Sequence, residues 1–222
     1  MKEKTTIGIL LFTTLLSLPA AAADGIISYL EGEVYVTRNG AESEGDFGFE
    51  ISRGDRLRTG PDGLAVIELT GRGTLKITEN TSLVLTSVGS DTRLDLEGGS
   101  LFAKARKLAG GDSFTVRTDA VVAGIRGTEF FMAYGRKVEE TPDVWLCVRE
   151  GTVEVGVDGR TDSVLVEEGE GISILGGREW TDPRYYAWTE DLNWNTEPGG
   201  GSLKNEADLS GAYADLLDQD YF

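Results

Sequence analysis

Residues 120–134 read AVVAGIRGTEFFMAY and hold the pattern that decides the fold of this chain. The stretch is apolar and rich in β-branched and aromatic side chains, which predicts strands. Arg126, Gly127, Thr128 and Glu129 interrupt it, and a buried strand should not carry unpartnered charges, because their burial is costly. We therefore expect two strands that meet at a tight corner formed by these residues.

The corner residues Arg126, Gly127, Thr128 and Glu129 are candidates for either a structural or a recognition role. In the structural interpretation, the Arg126 guanidinium donates to backbone carbonyls, Gly127 permits an unusual backbone, and Thr128 caps the turn. In the recognition interpretation, the same side chains contact a partner. We expect the structural clamp.

Glycines recur every eight to twelve residues between short runs of alternating apolar side chains, which predicts an all-β fold. A Glu-Gly pattern followed by two apolar residues is repeated at residues 30–36, 96–102 and 149–155. Repeated short strands with corner glycines fit a single β-solenoid-like domain or a coiled β-sandwich. We favour the solenoid-like form. Residues 101–108 are expected to be a strand that turns at Gly110 and Gly111.

The N-terminus has the features of an export signal. Lys2 and Lys4 precede an apolar run at residues 7–18, which is too short to span a bilayer, and Ala20 to Ala23 then offer small residues for cleavage. We expect a signal peptide at residues 1–23, an all-β domain at 24–177 and an aromatic and acidic tail at 178–222. No membrane span is expected once the signal is cleaved.

The tail carries Trp180, Trp188 and Trp194, then a Gly-rich stretch at residues 198–202 that resembles a flexible linker. Residues 206–217 have helical spacing. The tryptophans either stack on sugar rings or shield an open edge of the β-fold, and we prefer the capping role. On that interpretation, the segment after Pro198 is dispensable for stability.

Composition excludes several kinds of chemistry. The chain has no histidine and a single cysteine, Cys147, which lies in an apolar run and is expected to be buried. Asp55 and Asp112 follow glycines and are expected to serve turns rather than calcium. We predict no catalytic residues, no metal and no cofactor. The net charge of −17 argues against nucleic-acid binding.

The sequence also resembles FecR-type domains over about residues 26–175. The similarity lies in GEVYV at residues 32–36, GDRLRTG at 54–60, the leucine ladder through Leu85, TDAVVAGIRGTEF at 118–130 and EGTVEV at 150–155. The resemblance implies an all-β, non-enzymatic binding or signalling module with a protein partner at the cell envelope, either periplasmic or secreted. Known members include membrane-anchored regulators of sigma factors, whereas this sequence shows no transmembrane segment to relay a signal.

Two other functions remain open at this point. One is a carbohydrate-binding module that uses the tail tryptophans, which makes a glycan a further candidate ligand. The other is a hydrolase of envelope glycans that uses two carboxylates, because a chain with 38 acidic residues always offers some suitable pair.

Overall fold

The computed structural model describes residues 23–107, 110–136 and 143–205. These residues form 17 strands and two turns of 3-10 helix, at Ala187–Glu190 and Pro198–Gly200. The strands are β1 Gly25–Glu31, β2 Val34–Arg38, β3 Ala41–Glu44, β4 Glu50–Ile51, β5 Arg56–Thr59, β6 Leu64–Leu69, β7 Gly73–Ile77, β8 Ser82–Ser87, β9 Asp91–Ala105, β10 Ser113–Arg117, β11 Val121–Ile125, β12 Glu129–Arg136, β13 Asp143–Glu150, β14 Thr152–Val157, β15 Ser163–Glu167, β16 Gly171–Leu175 and β17 Glu179–Trp180.

Hydrogen bonding connects these strands into one network that folds into two layers. Layer A has the order β4-β1-β6-β7-β9-β12-β13-β16-β17. Layer B has the order β3-β2-β5-β8-β9-β10-β11-β14-β15. The main core lies between the layers, because buried side chains from both, such as Ile67 of β6 and Leu57 of β5, belong to the same cluster.

The long strand β9 joins the two layers. Its first half pairs with β8 and β10 in layer B, and its second half pairs with β7 and β12 in layer A. Gly99 lies where the strand changes layers, with φ at 85°. A Cβ there would lie 2.4 Å from the Cα of Thr81, so only glycine fits this crossing.

The expected all-β class is confirmed. Within the described residues, every ladder except β9–β10 is antiparallel. A solenoid stacks parallel strands from successive coils, whereas here antiparallel hairpins alternate between two facing layers. The coiled β-sandwich is therefore the better description of the two. Residues 101–105 are strand as expected, and the helix expected at residues 206–217 lies outside the described residues.

The apolar stretch at residues 120–134 forms the expected pair of strands. β11 lies in layer B and β12 in layer A, and residues 126–128 make the corner between them. Gly127 has φ at 69°, in the left-handed region that glycine adopts without strain. The corner therefore carries the chain from one layer to the other.

Residues 184–205, which we call the strap, cross the outer face of layer A. Arg184 forms a bridge with Gly171 of β16, and Leu203 packs on Leu64 and Val66 of β6 at the far side. Side chains on both faces of β13 are buried, since the core covers one face and the strap covers the other. This double coverage explains why β12 and β13 read as continuous apolar runs instead of alternating patterns.

Candidate functional site

The corner between β11 and β12 is held by close backbone packing. Thr128 is buried, its hydroxyl donates to the carbonyl of Thr152 at 2.9 Å, and its own carbonyl accepts from the amide of Ala105 at 3.0 Å. Gly151 is so close that a Cβ there would lie 3.0 Å from the Thr128 hydroxyl. Gly127 and Thr128 are thus packed tightly in the corner, and the Thr128 hydroxyl bonds to the neighbouring strand β14 instead of capping its own turn.

Glu129 begins β12 and points to the strap side of layer A. Its side chain is 10% exposed, and its carboxylate lies 3.6 Å from the Arg149 guanidinium of β13. That guanidinium also lies 5.6 Å from the ring of Trp194 in the strap. Glu129, Arg149 and Trp194 therefore link the signature corner to the covering segment.

Arg126 does not take part in the expected clamp. Its side chain is exposed, and it makes no hydrogen bond or ion pair with any residue that the structure describes. The Thr128 carbonyl of the corner is instead bonded by the Ala105 amide, so it does not need the guanidinium. The clamp consists of Gly127, Thr128 and Glu129, and Arg126 projects from it.

Lys76 is the residue of this region that the sequence did not indicate. It lies on the outer face of β7, is fully buried, and donates to the carbonyls of Asn193 and, at 2.8 Å, Asn195. Its ammonium group lies 4.1 Å from the ring of Phe102, an arrangement that stabilises a desolvated cation. Burial lowers the pKa of Lys76 to about 8, and the nearby Glu129 carboxylate opposes that shift. Lys76 therefore fastens the strap to layer A.

The tail aromatics extend the apolar packing on layer A. Trp194 meets Phe102 edge-on at 5.4 Å, and its indole donates to the carbonyl of Thr189 at 3.1 Å. Tyr186 stands edge-on against Trp145 at 4.6 Å. These rings cover the face of a sheet rather than an open edge, which corrects the form of capping that the sequence suggests.

Trp180 occupies a separate position. It lies on β17, is partly buried against the main core, and has the Arg160 guanidinium 4.1 Å from its ring. β12, β13 and β16 lie between it and the strand beneath Trp194, a separation of roughly 19 Å at the usual strand spacing. The two rings do not form one stacking platform for a sugar. Trp188 lies in the first 3-10 turn, and its side chain is not described.

The acidic and sulfur side chains that the sequence singles out have structural partners. Asp55 is buried, accepts from the Ser52 amide and is paired with Arg38 at 2.6 Å, and Asp112 is paired with Arg72 at 2.5 Å. The turn role of Asp55 is confirmed. Cys147 is buried as expected, and burial raises the pKa of its thiol. Among the described residues, no group of acidic or sulfur ligands is arranged for a metal ion.

Two comparisons with known proteins find matches. Residues 55–154 match the family described as FecR protein. Two crystal structures of a candidate anti-sigma factor from Parabacteroides distasonis share the fold, with TM-scores of 0.53 and 0.51, sequence identities of 19% and 18%, and 72% of each chain covered. At this identity the similarity establishes the fold alone. We found no curated protein that matches the sequence.

Within the described residues, no helical segment is long and apolar enough to cross a bilayer.

Proposed function

Because residues 55–154 form a FecR domain, we propose that this chain is an exported, non-enzymatic module that binds a protein partner and takes part in signalling at the cell envelope. The match to the FecR family carries the proposal, since that family is regulatory. The shared fold with a candidate anti-sigma factor supports it. Export rests on the basic, apolar and small-residue pattern of residues 1–23.

The side chains that the sequence singles out as candidates for chemistry have structural roles. Asp55, Asp112 and Glu129 are engaged with arginines, and Cys147 is buried. Of the tail tryptophans that suggested a sugar-binding module, Trp194 packs on the protein itself, and Trp180 lies apart from Trp194. No specific observation favours either the glycan-binding or the hydrolase alternative.

A complementation experiment tests signalling and export together. The gene is deleted in its own host, and transcripts are compared with those of the parent strain. We expect a restricted set of transcripts to change, to be restored by the full chain, and to remain changed when the restoring chain lacks residues 2–23. An unchanged transcriptome would contradict signalling, and full restoration by the unexported form would contradict action at the envelope.

A further inference from the structure

The basic side chains of this acidic molecule are distributed unevenly. With a net charge of −17, most described arginines are engaged in ion pairs with acids, as in Arg38–Asp55, Arg56–Glu97, Arg58–Glu42, Arg72–Asp112, Arg93–Asp91 and Arg160–Asp162. Lys104, Arg106, Lys107 and Arg126 differ. All are exposed, and their side chains have no ion pair or hydrogen bond to the residues that the structure describes. We call these residues the basic rim.

The basic rim is held in place by the backbone of the signature corner. Lys104 ends the pairing of β9 with β12, and the chain continues through Arg106 and Lys107. Lys107 packs so closely on Gly127 that a Cβ on the glycine would lie 3.1 Å from the lysine Cα. Arg126 directly precedes that glycine. The rim therefore combines two chain segments whose backbones are fixed against each other.

No described acid forms an ion pair with a side chain of the rim. Glu129 is buried beside Arg149, and Asp112 is already paired with Arg72. Glu68 and Glu197 stand on the wall of a neighbouring cavity. Four exposed cations without side-chain partners among the described residues thus lie on two adjoining segments of a molecule that is otherwise strongly acidic. Such a charge reversal steers an anionic partner to one place and away from the rest of the surface.

A cavity of about 450 Å³ adjoins the basic rim, and Arg106 forms part of its lining. Ile26, Leu69 and Pro198 supply an apolar wall, and Thr74 and Thr196 add hydroxyl groups. Ile26 is 38% exposed, which is unusual for a large aliphatic side chain on a strand. The cavity is concave and partly apolar, so it suits a side chain rather than a diffuse charged surface.

We propose that the basic rim and this cavity form a docking site for an acidic segment of a partner protein, with one apolar side chain inserted into the cavity. This inference rests on the proposed function. In such a peptide the acidic side chains lie on the rim, and the apolar side chain is the part that meets Glu68 and Glu197 in the cavity. A flat anionic membrane or a nucleic acid would bring its own charges against Glu68, Glu197 and the acidic surface beyond them, which disfavours both.

Peptide titrations test the proposal with the full chain starting at Asp24. The probe is a short fluorescein-labelled peptide that alternates glutamate with leucine, and its control replaces each glutamate with glutamine. We expect fluorescence anisotropy to show binding of the first peptide only. The affinity should fall steeply with added salt, because exposed charges are screened within about 8 Å at physiological ionic strength.

The decisive comparison is between two charge-reversed variants. The rim variant carries K104E, R106E, K107E and R126E, and it should lose affinity by about tenfold or more, as expected for several lost charge contacts. The control carries R53E, R117E and R178E, which alter exposed basic residues that also lack side-chain partners among the described residues. We expect it to stay within about twofold of the parent chain. A Thr74→Tyr variant, which narrows the cavity, should also bind more weakly.

Three results would overturn the proposal. Equal affinities of rim and control variants would remove the role of the rim. Rim-dependent binding to phosphatidylglycerol vesicles in place of the peptide would assign the site to a membrane. A tenfold tighter affinity after truncation at Asn205 would assign the rim to the acidic residues 206–222 of this chain. Failure of peptide binding with intact complementation would reject this site and leave the proposed function standing.

Discussion

A buried lysine is an expensive way to fasten a segment, and Lys76 shows how the cost is reduced. Its ammonium group is removed from water, which disfavours the charged form. Two strap carbonyls accept its hydrogen bonds, and the Phe102 ring lies beneath it. The four-carbon stem meanwhile adds to the apolar packing on layer A. The same residue therefore contributes a polar anchor and apolar contact area.

The lowered pKa of Lys76 has a testable consequence for stability. The folded chain holds this proton up to about pH 8, whereas the unfolded chain holds it up to about 10.5. Between these values the unfolded state binds more protons, so the contribution of Lys76 to the free energy of unfolding rises with pH. Chemical denaturation should show that the free energy of unfolding of the parent, relative to that of Lys76→Met, increases by a few kcal/mol from the lower to the upper end of this pH window.

Comparison with Lys76→Met removes the effect of other groups that titrate at high pH. A second control, Lys104→Met, changes an exposed lysine on the neighbouring strand. Its stability difference from the parent should stay nearly constant with pH. Parallel pH profiles for all three proteins would show that Lys76 is hydrated and that it does not anchor the strap as a buried cation.

Gly127 and Gly124 provide a matched pair at the signature corner. Gly127 has φ at 69° and packs on Lys107, whereas a Cβ on Gly124 would come no closer than 3.7 Å to the Glu154 carbonyl. We expect Gly127→Ala to lower the free energy of unfolding by about 1–3 kcal/mol and Gly127→Val by more. Gly124→Ala should change it by less than about 1 kcal/mol. Equal effects of both alanines in urea titrations would contradict a strained corner.

The sequence allowed some of these residues to be predicted and hid others. The corner was predictable because glycine and charged residues interrupt an apolar run, which is a local signal. Lys76 was not predictable, because the alternation in β7 places its side chain on the other face of the strand from Leu75 and Ile77, where a lysine ordinarily meets solvent. Its burial depends on a strap more than a hundred residues later. The expected contacts of Arg126 were wrong because the Thr128 carbonyl has a backbone donor, Ala105, from a separate segment of the chain.

Among the structural elements, the strap covers the outer face of layer A, which a plain two-layer sandwich would leave exposed. Phe102, Phe131 and Trp145 lie on the outer face of layer A, and the first two meet at 4.7 Å. The aromatic residues of the tail suggested a covering role. Which surface they cover depends on which strands pair to form layer A, and the tail sequence does not show that pairing. The sequence therefore indicated that the tail covers part of the β-fold. It assigned the covered surface to a sheet edge, whereas the tail covers a sheet face.

Stepwise truncation separates the parts of the strap. A chain ending at Asn205 retains every described contact and should melt close to the full chain. A chain ending at Pro198 loses Leu203, which is 1% exposed, and the hydrogen bonds from Asn193 to Ser202 and Lys204. We expect it to lose about 1.5–3 kcal/mol, the scale of burying one leucine. The sequence-based expectation that this truncation is silent is thereby replaced.

A chain ending at Gly177 should be the least stable of these forms. It exposes the apolar face around Phe102 and Trp145 and leaves Lys76 without its carbonyl partners. Such a face promotes association, so size-exclusion chromatography should show oligomers or aggregates. Identical melting temperatures and monomeric elution for the chains ending at Gly177 and Asn205 would show that the strap does not stabilise layer A.

For the whole molecule, the class of fold was easier to predict than its layering. Regular glycines and short alternating runs indicate an all-β chain regardless of how the strands pair. The division of β9 between two layers and its one parallel ladder depend on which distant strands meet it. Repeated Glu-Gly patterns were interpreted as stacked coils, yet they mark the places where the chain passes from one layer to the other: between β1 and β2, at Gly99 within β9, and between β13 and β14.

The contacts of Ala23 and Asp24 bear on the expected cleavage site of the signal peptide, which experiment can test directly. Among the described residues, the first hydrogen bond is made by Ala23, whose carbonyl accepts from the Thr70 hydroxyl at 3.0 Å. Asp24 is bound more firmly, since its amide donates to Ile51 at 3.0 Å, its carboxylate accepts from the Arg53 amide at 2.6 Å, and its carbonyl accepts from the Thr70 amide at 2.9 Å. A new amino group at Asp24 still donates to the Ile51 carbonyl, so cleavage there preserves the contacts of Asp24 and removes the one made by the Ala23 carbonyl. We therefore expect N-terminal sequencing of the exported protein to begin within two residues of Asp24, and Ala23→Tyr to slow processing because the cleavage site requires small side chains. An exported form that retains Met1 would contradict cleavage, and efficient processing of Ala23→Tyr at Asp24 would contradict the assigned site.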